Sequence, residues 1–196
     1  MAAKLSVRRL RKNDWPVVAG LFGHSGACGG CWCRYWFLPR GGKLWDEMKG
    51  PRNRRAMQAD LAAGKVRGSL AFRGKKCVGW CCYGKTRDFP RLVNSKSLFR
   101  DPPHGSWSIV CFFIPLRQRG SAVASGLLEH AVKIISGMKS ATCIEGYPVS
   151  LHAYADGQAP AAFAWTGVPK LFTRAGFRAY KRKADARPIY RLLLDR

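Results

Sequence analysis

The sequence predicts a mixed α/β domain with the element order βα, α, ββ, βαβαββ, and three observations carry that prediction. Residues 107–114 read WSIVCFFI, an almost unbroken apolar run that only a strand covered on both faces can bury. After PLRQRG the pattern changes to Val123, Leu127, Leu128, Ala131, Ile134, Ile135 and Met138, the 3.6-residue period of a helix with one buried face. Two strand-like runs at 66–72 and 77–83 flank the turn Arg73-Gly74-Lys75-Lys76, a hairpin signal.

The remaining elements follow in order. Residues 4–10 alternate well enough for an edge strand, and Asp14 is placed to cap a short helix through Trp15, Val17, Val18, Leu21 and Phe22. Residues 23–42 are rich in glycine and aromatics and read as an irregular segment of the kind that lines sites. Gly50-Pro51 opens a helix with proline in its first turn, Met57 and Leu61 mark its buried stripe, and Gly64 closes it. The stretch from Thr86 to Ser106 is too proline-rich and polar for a long element. Short strands are expected at 141–145, 177–181 and 188–194, with a helix at 166–175 closed by Gly176.

The chain has 196 residues, 35 Lys plus Arg against 11 Asp plus Glu, and a formal net charge of +24. With 47% hydrophobic and 12% aromatic residues it can fill a core, which excludes a disordered basic tail and favours a single domain over residues 1–196. No apolar run of membrane-spanning length and no signal-peptide pattern is present, so no membrane is expected and the expected location is the cytoplasm. The charge attracts polyanions and admits a nucleic acid as partner, yet no zinc-finger, RNP-type or KH-type motif accompanies it. The eight cysteines are read as reduced thiols; Cys77, Cys81, Cys82, Cys111 and Cys143 sit among apolar residues as packing groups. Cys28, Cys31 and Cys33 form C-x2-C-x-C, a weak zinc spacing whose fourth ligand must be guessed, His24 being closest. No metal is expected.

A buried strand that runs through a basic, glycine-containing loop into a helix is an anion site, because the first helical N–H groups lack internal partners and carry the positive end of the dipole. Arg117, Arg119 and the amides from Gly120 to Ser125 would converge on a phosphate or pyrophosphate. The Gly-Lys-Ser/Thr of a triphosphate loop and the G-x-G-x-x-G of a dinucleotide site are both missing.

The stretch CFFIPLRQRGSAVASGLLEHAV resembles the acetyl-CoA-binding motif of the GNAT acetyltransferase superfamily, a hydrophobic strand leading to R/Q-x-x-G-x-G/A at a helix start. Matching the helix leucines puts Arg119 in the Arg/Gln place, Ala122 in the first glycine's place and Ala124 in the last; a second register, 117–122, fits the letters but shifts the leucines by two. GCWCRYW, FPRLVNSKSL, IEGYPV, AFAWTG and FTRAGFRAY are similar to a bacterial branch of that superfamily, so the resemblance covers residues 24–190.

The resemblance implies a mostly antiparallel, splayed central sheet flanked by helices. It further implies acetyl-CoA as co-substrate, its pantetheine on the backbone of Phe112, Phe113 and Ile114 and its pyrophosphate on Arg119, Gly120, Ser121, Ala122, Val123, Ala124 and Ser125. A backbone N–H near Phe113 or Ile114 would polarise the thioester. Trp32, Arg34, Tyr35 and Trp36 would cover the acceptor side of the cleft, with Phe163 and Trp165 shaping its pocket. Glu145, one of three glutamates, is the candidate base; its alternative is a solvated strand end or an arginine salt bridge. The usual tyrosine acid is replaced by Phe172, which leaves Tyr147, Tyr154 or water, and His152 with Asp156 as a relay.

The expected function is direct transfer of an acetyl group from the thioester to a primary amine on a small molecule, a protein or an aminoacyl-tRNA. The positive charge argues against polycationic acceptors. The alternatives are a catalytically weak module of the same fold binding RNA through its basic surface, and a zinc-dependent regulatory protein. A homodimer is compatible with the resemblance.

Overall fold

The computed structural model describes residues 3–95, 98, 103–150, 164–181 and 187–194. Seven strands form one sheet in the order β1-β2-β3-β4-β5-β7-β6: β1 Leu5–Arg9, β2 Gly68–Arg73, β3 Lys76–Lys85, β4 Ser106–Phe113, β5 Cys143–Gly146, β6 Arg178–Lys181 and β7 Ile189–Leu193. Every pairing is antiparallel except that of β4 with β5. The helices are α1 Trp15–Phe22, α2 Lys43–Met48, α3 Pro51–Ala62, α4 Pro90–Val93, α5 Val123–Ser136 and α6 Pro169–Arg174.

Two cores lie on opposite faces of the sheet. On one, Val18 and Phe22 of α1, Met57 and Leu61 of α3, and Trp32, Cys33 and Trp36 pack on Leu70, Trp80 and Val110. On the other, Val123, Leu127, Leu128, Ala131 and Ile135 of α5 and Phe172 of α6 pack on Ala71, Cys81, Ile109 and Phe112. Each buried aliphatic side chain contributes about 1.5–3 kcal/mol to holding α5 against the sheet. Gly79 permits its close seating, because a Cβ there would lie 2.6 Å from Val123 Cγ1.

Two local expectations are corrected. Asp14 occupies the N-cap of α1 without a side-chain capping bond. Its carboxylate instead accepts from the Arg8 guanidinium at 2.6 and 2.8 Å and from the Arg11 N–H at 2.8 Å, so both oxygens are engaged by a charge-assisted pair and a preceding turn amide. The segment 43–48, to which the sequence pattern assigned no element, forms α2, whose six residues include no fully buried side chain and so left no apolar period to read. No helix among the described residues is long and apolar enough to cross a membrane.

Candidate functional site

The site begins where β4 and β5 part. Their parallel ladder pairs Ser106 with Cys143 and ends at Ile109 opposite Gly146, whereas β4 continues to Phe113 along β3. The β3–β4 register shifts between Cys82, opposite Cys111, and Tyr83, opposite Ile109, so Val110 is the extra residue of a β-bulge. The bulge carbonyl of Val110 accepts the indole N–H of Trp36 at 2.9 Å. Beyond it, the β5-facing edge of β4 has no strand to pair with among the described residues.

At the end of this open edge stands the N-terminus of α5. Gly120 and Ala122 both adopt left-handed backbone, φ 74° and 62°, and Ala122 is the N-cap without a side-chain capping bond. Space is open around Gly120, so it is glycine's backbone freedom that the position uses. The loop is held by Ser121 Oγ donating to the Gln118 carbonyl at 2.6 Å, Arg119 Nε to the Ile114 carbonyl at 3.1 Å and Arg73 Nη2 to the Ser121 carbonyl at 2.9 Å. The helix start of a 14-residue helix therefore presents unpaired amides beside a cluster of cations.

Strand edge and helix start share one cleft of about 690 Å³. Of the residues expected to hold the cofactor, Phe112, Phe113, Ile114, Arg119, Ala124 and Ser125 line it, whereas Gly120, Ser121, Ala122 and Val123 do not. Val123 is a core residue against the sheet. The opposite wall comes from α6 and the turn before it, with Trp165, Lys170, Leu171 and Arg174. Lys170 and Arg174 were missed from the sequence, although their four-residue spacing on a helix following the aromatic AFAWTG stretch was the available signal. Ala27, Cys28, Leu116, Ala164, Gly167 and Val168 line the cleft as well. The lining cations are Arg119, Lys170 and Arg174, with no carboxylate or imidazole among the described lining residues.

The acceptor-side segment divides. Tyr35 is half-buried and touches Trp165 with ring centroids 5.0 Å apart, while Trp32 and Trp36 are core residues. Arg34 is buried against the Asp60 carboxylate. Three of the four expected acceptor contacts are thus structural, because the aromatic segment folds onto the sheet, with Ala27, Trp32 and Cys33 in left-handed backbone. Cys33 is buried and its sulfur accepts the Trp80 indole N–H at 3.2 Å, whereas Cys28 is exposed. No group of three or more His, Cys, Asp or Glu residues among those described is placed to share a metal ion.

Glu145 and Tyr147 lie in the interior rather than on the cleft wall. Glu145 is 3% exposed, and its Oε1 accepts from Arg191 Nε and Nη2 at 2.9 and 2.6 Å. Its Oε2 accepts the Tyr147 hydroxyl at 3.0 Å, and the Tyr147 hydroxyl oxygen is also 2.8 Å from Ser108 Oγ, which lies 2.9 Å from Thr86 Oγ1. Burial, then the neighbouring Glu145 charge, push the Tyr147 hydroxyl well above the usual tyrosine range. Both carboxylate oxygens being engaged, the arginine salt bridge is the reading of Glu145 that the geometry favours over a free base. Phe172 is fully buried and packs edge-on against Phe177 at 5.3 Å. Tyr154, His152, Asp156 and Phe163 lie outside the described residues.

No protein-family profile and no curated relative matches the sequence. Solved structures do. A chain from Desulfovibrio desulfuricans assigned to the GNAT acetyltransferase family superposes with a TM-score of 0.54 at 17% identity, covering 98% of this chain and 100% of that one. The PaiA N-acetyltransferase of Thermoplasma acidophilum, solved with coenzyme A, gives a TM-score of 0.56 at 10% identity, over 97% and 99% of the two chains. The aminoglycoside acetyltransferase AAC(6')-Ib, solved with coenzyme A and kanamycin, gives 0.56 at 13% identity, over 97% and 95%. The splayed seven-stranded sheet is therefore the GNAT fold, as the sequence resemblance implied for the architecture.

Proposed function

We propose that the chain is an acetyl-CoA-dependent N-acetyltransferase acting on a primary amine. The observation that carries this reading is one cleft in which the edge of β4, unpaired among the described residues, runs directly to the N-terminus of α5. A pantetheine arm carries amide groups that can bond the backbone from Phe112 to Ile114 as an added strand would. The pyrophosphate then meets the α5 amides, and Arg119, Lys170 and Arg174 are within the same walls for its charge and that of the 3′-phosphate. Structural relatives solved with coenzyme A share this fold and support the cofactor assignment.

In the reaction the amine nitrogen bonds to the thioester carbon and the carbon–sulfur bond breaks. One proton leaves the nitrogen and the thiolate gains one. A β4 amide near Phe113 polarises the carbonyl, and binding supplies the alignment. The described lining residues include no carboxylate or imidazole, and Glu145 with Tyr147 acts as a positioning pair that fixes β5 against β4 and β7. Calorimetric titration with acetyl-CoA, desulfo-CoA and ATP tests the reading. Stoichiometric binding of acetyl-CoA and desulfo-CoA that ATP does not reproduce, followed by amine-dependent thiol release, is expected; absence of acetyl-CoA binding overturns it.

A further inference from the structure

The acceptor side of the cleft continues into a cluster of rings and guanidinium groups. Tyr35 stands at its centre, with ring centroids 5.4 Å from Trp45 and 5.0 Å from Trp165, both edge-on. The Arg91 guanidinium lies 3.9 Å above the Tyr35 ring, and that of Arg187 lies 5.1 Å from the Trp165 ring. Tyr35, Trp45, Trp165 and Arg91 are all half-buried, so each keeps an accessible side. Trp165 also lines the cleft, which makes the cluster continuous with the acyl-transfer site.

The charge of this face is not balanced from within. Asp14, Asp46, Glu47, Asp60, Asp88 and Glu145 each hold a lysine or arginine, so among the described acids only Glu129 has no such partner. Arg91 meets no carboxylate among the described residues: its Nη2 donates to the Arg40 carbonyl, and its Nε is buried without an acceptor. A polycationic amine would be repelled here. A ligand with planar groups and regularly spaced negative charge matches both features, because bases stack on aromatic and guanidinium planes while phosphates meet arginines.

We propose that this face binds single-stranded nucleic acid, and that the amine acetylated in the cleft is carried on it. The second clause rests on the acetyltransferase reading; the first does not. An acidic peptide supplies the charge without the stacking planes, and is the outcome to be excluded.

The test follows binding of a mixed-sequence oligonucleotide of about twelve residues, as RNA and as DNA, at roughly 0.15 M salt, with polyglutamate of matched charge as the comparison. Either oligonucleotide is expected to bind about 10-fold tighter than polyglutamate and to quench tryptophan fluorescence, the better of the two identifying the carrier. Arg91→Ala and Trp45→Ala should each weaken it by about 5–10-fold while acetyl-CoA affinity holds, and Arg91→Lys, which keeps charge but loses the plane, should weaken it nearly as much. Saturating acetyl-CoA should leave oligonucleotide binding in place. Equal binding of polyglutamate, displacement by acetyl-CoA, or indifference to all three substitutions overturns the proposal. If acetyl-CoA does not bind at all, the acetyltransferase reading fails by itself, and the polyglutamate comparison and the variants still decide the nucleic-acid surface in the wild-type fold.

Discussion

Replacing Glu145 by glutamine separates a framework role from a catalytic one. Glu145 is 3% exposed and Arg191 12%, and the two are joined by hydrogen bonds of 2.9 and 2.6 Å. Glutamine leaves the arginine charged in the interior with only a neutral oxygen beside it, and breaking a buried pair in this way costs about 3–5 kcal/mol. With a urea m-value of roughly 2–3 kcal/mol/M for a chain of this size, the unfolding midpoint should fall by about 1–2.5 M. Replacing both partners with apolar residues, Glu145→Leu with Arg191→Met, should recover most of that loss, because no charge is then left unpaired. The assay is urea unfolding followed by fluorescence, with thiol release from acetyl-CoA measured well below the transition. A midpoint shift under about 0.3 M together with a 100-fold loss of transfer would refute the framework role and make Glu145 the base.

Four further outcomes are expected. The neutral Tyr147 hydroxyl is the form the fold holds, so its contribution to stability is complete below the ordinary tyrosine value, near 10, and is lost as pH rises through its higher folded value; phenolate absorbance should show a late-titrating tyrosine that Tyr147→Phe removes, and ordinary titration of every tyrosine would contradict the burial argument. Trp36→Phe deprives the Val110 carbonyl of its donor at the bulge and should destabilise by about 1–3 kcal/mol in urea unfolding. Gly79→Ala places a methyl 2.6 Å from Val123 Cγ1, so α5 must shift, with a loss of about 1–3 kcal/mol and a parallel weakening of acetyl-CoA binding in calorimetry. Ala122→Gly relieves left-handed strain of about 1 kcal/mol and should leave stability unchanged or raised, whereas Gly120→Ala, which introduces that strain, should lower both stability and acetyl-CoA affinity.

Periodicity alone made the frame legible. The continuous apolar run at β4, the 3.6 period of α5 and the hairpin of β2 and β3 were each readable because burial on two faces, one stripe or alternate residues leaves a distinct local pattern. The loop between β4 and α5 was equally readable, since the unpaired amides of a helix start depend only on neighbours in sequence. The short α2 escaped because it buries nothing completely, and the α6 wall of the cleft escaped because Lys170 and Arg174 acquire meaning only once that helix lies across from β4.

Residue types and local order were thus determined by the sequence itself: a basic, cysteine-bearing α/β chain with a buried strand, a basic glycine-containing loop and an amphipathic helix in succession. Partners across long separations were decided only by tertiary structure. Glu145 reads as a candidate base until Arg191, 46 residues away, is brought to 2.6 Å on β7, and Trp36 reads as a substrate contact until Val110 is brought to its indole, 74 residues away. The physical reason is that charge neutralisation, desolvation and hydrogen-bond satisfaction act through space, and a carboxylate's chemistry is set by the group that meets it rather than by the residues that flank it.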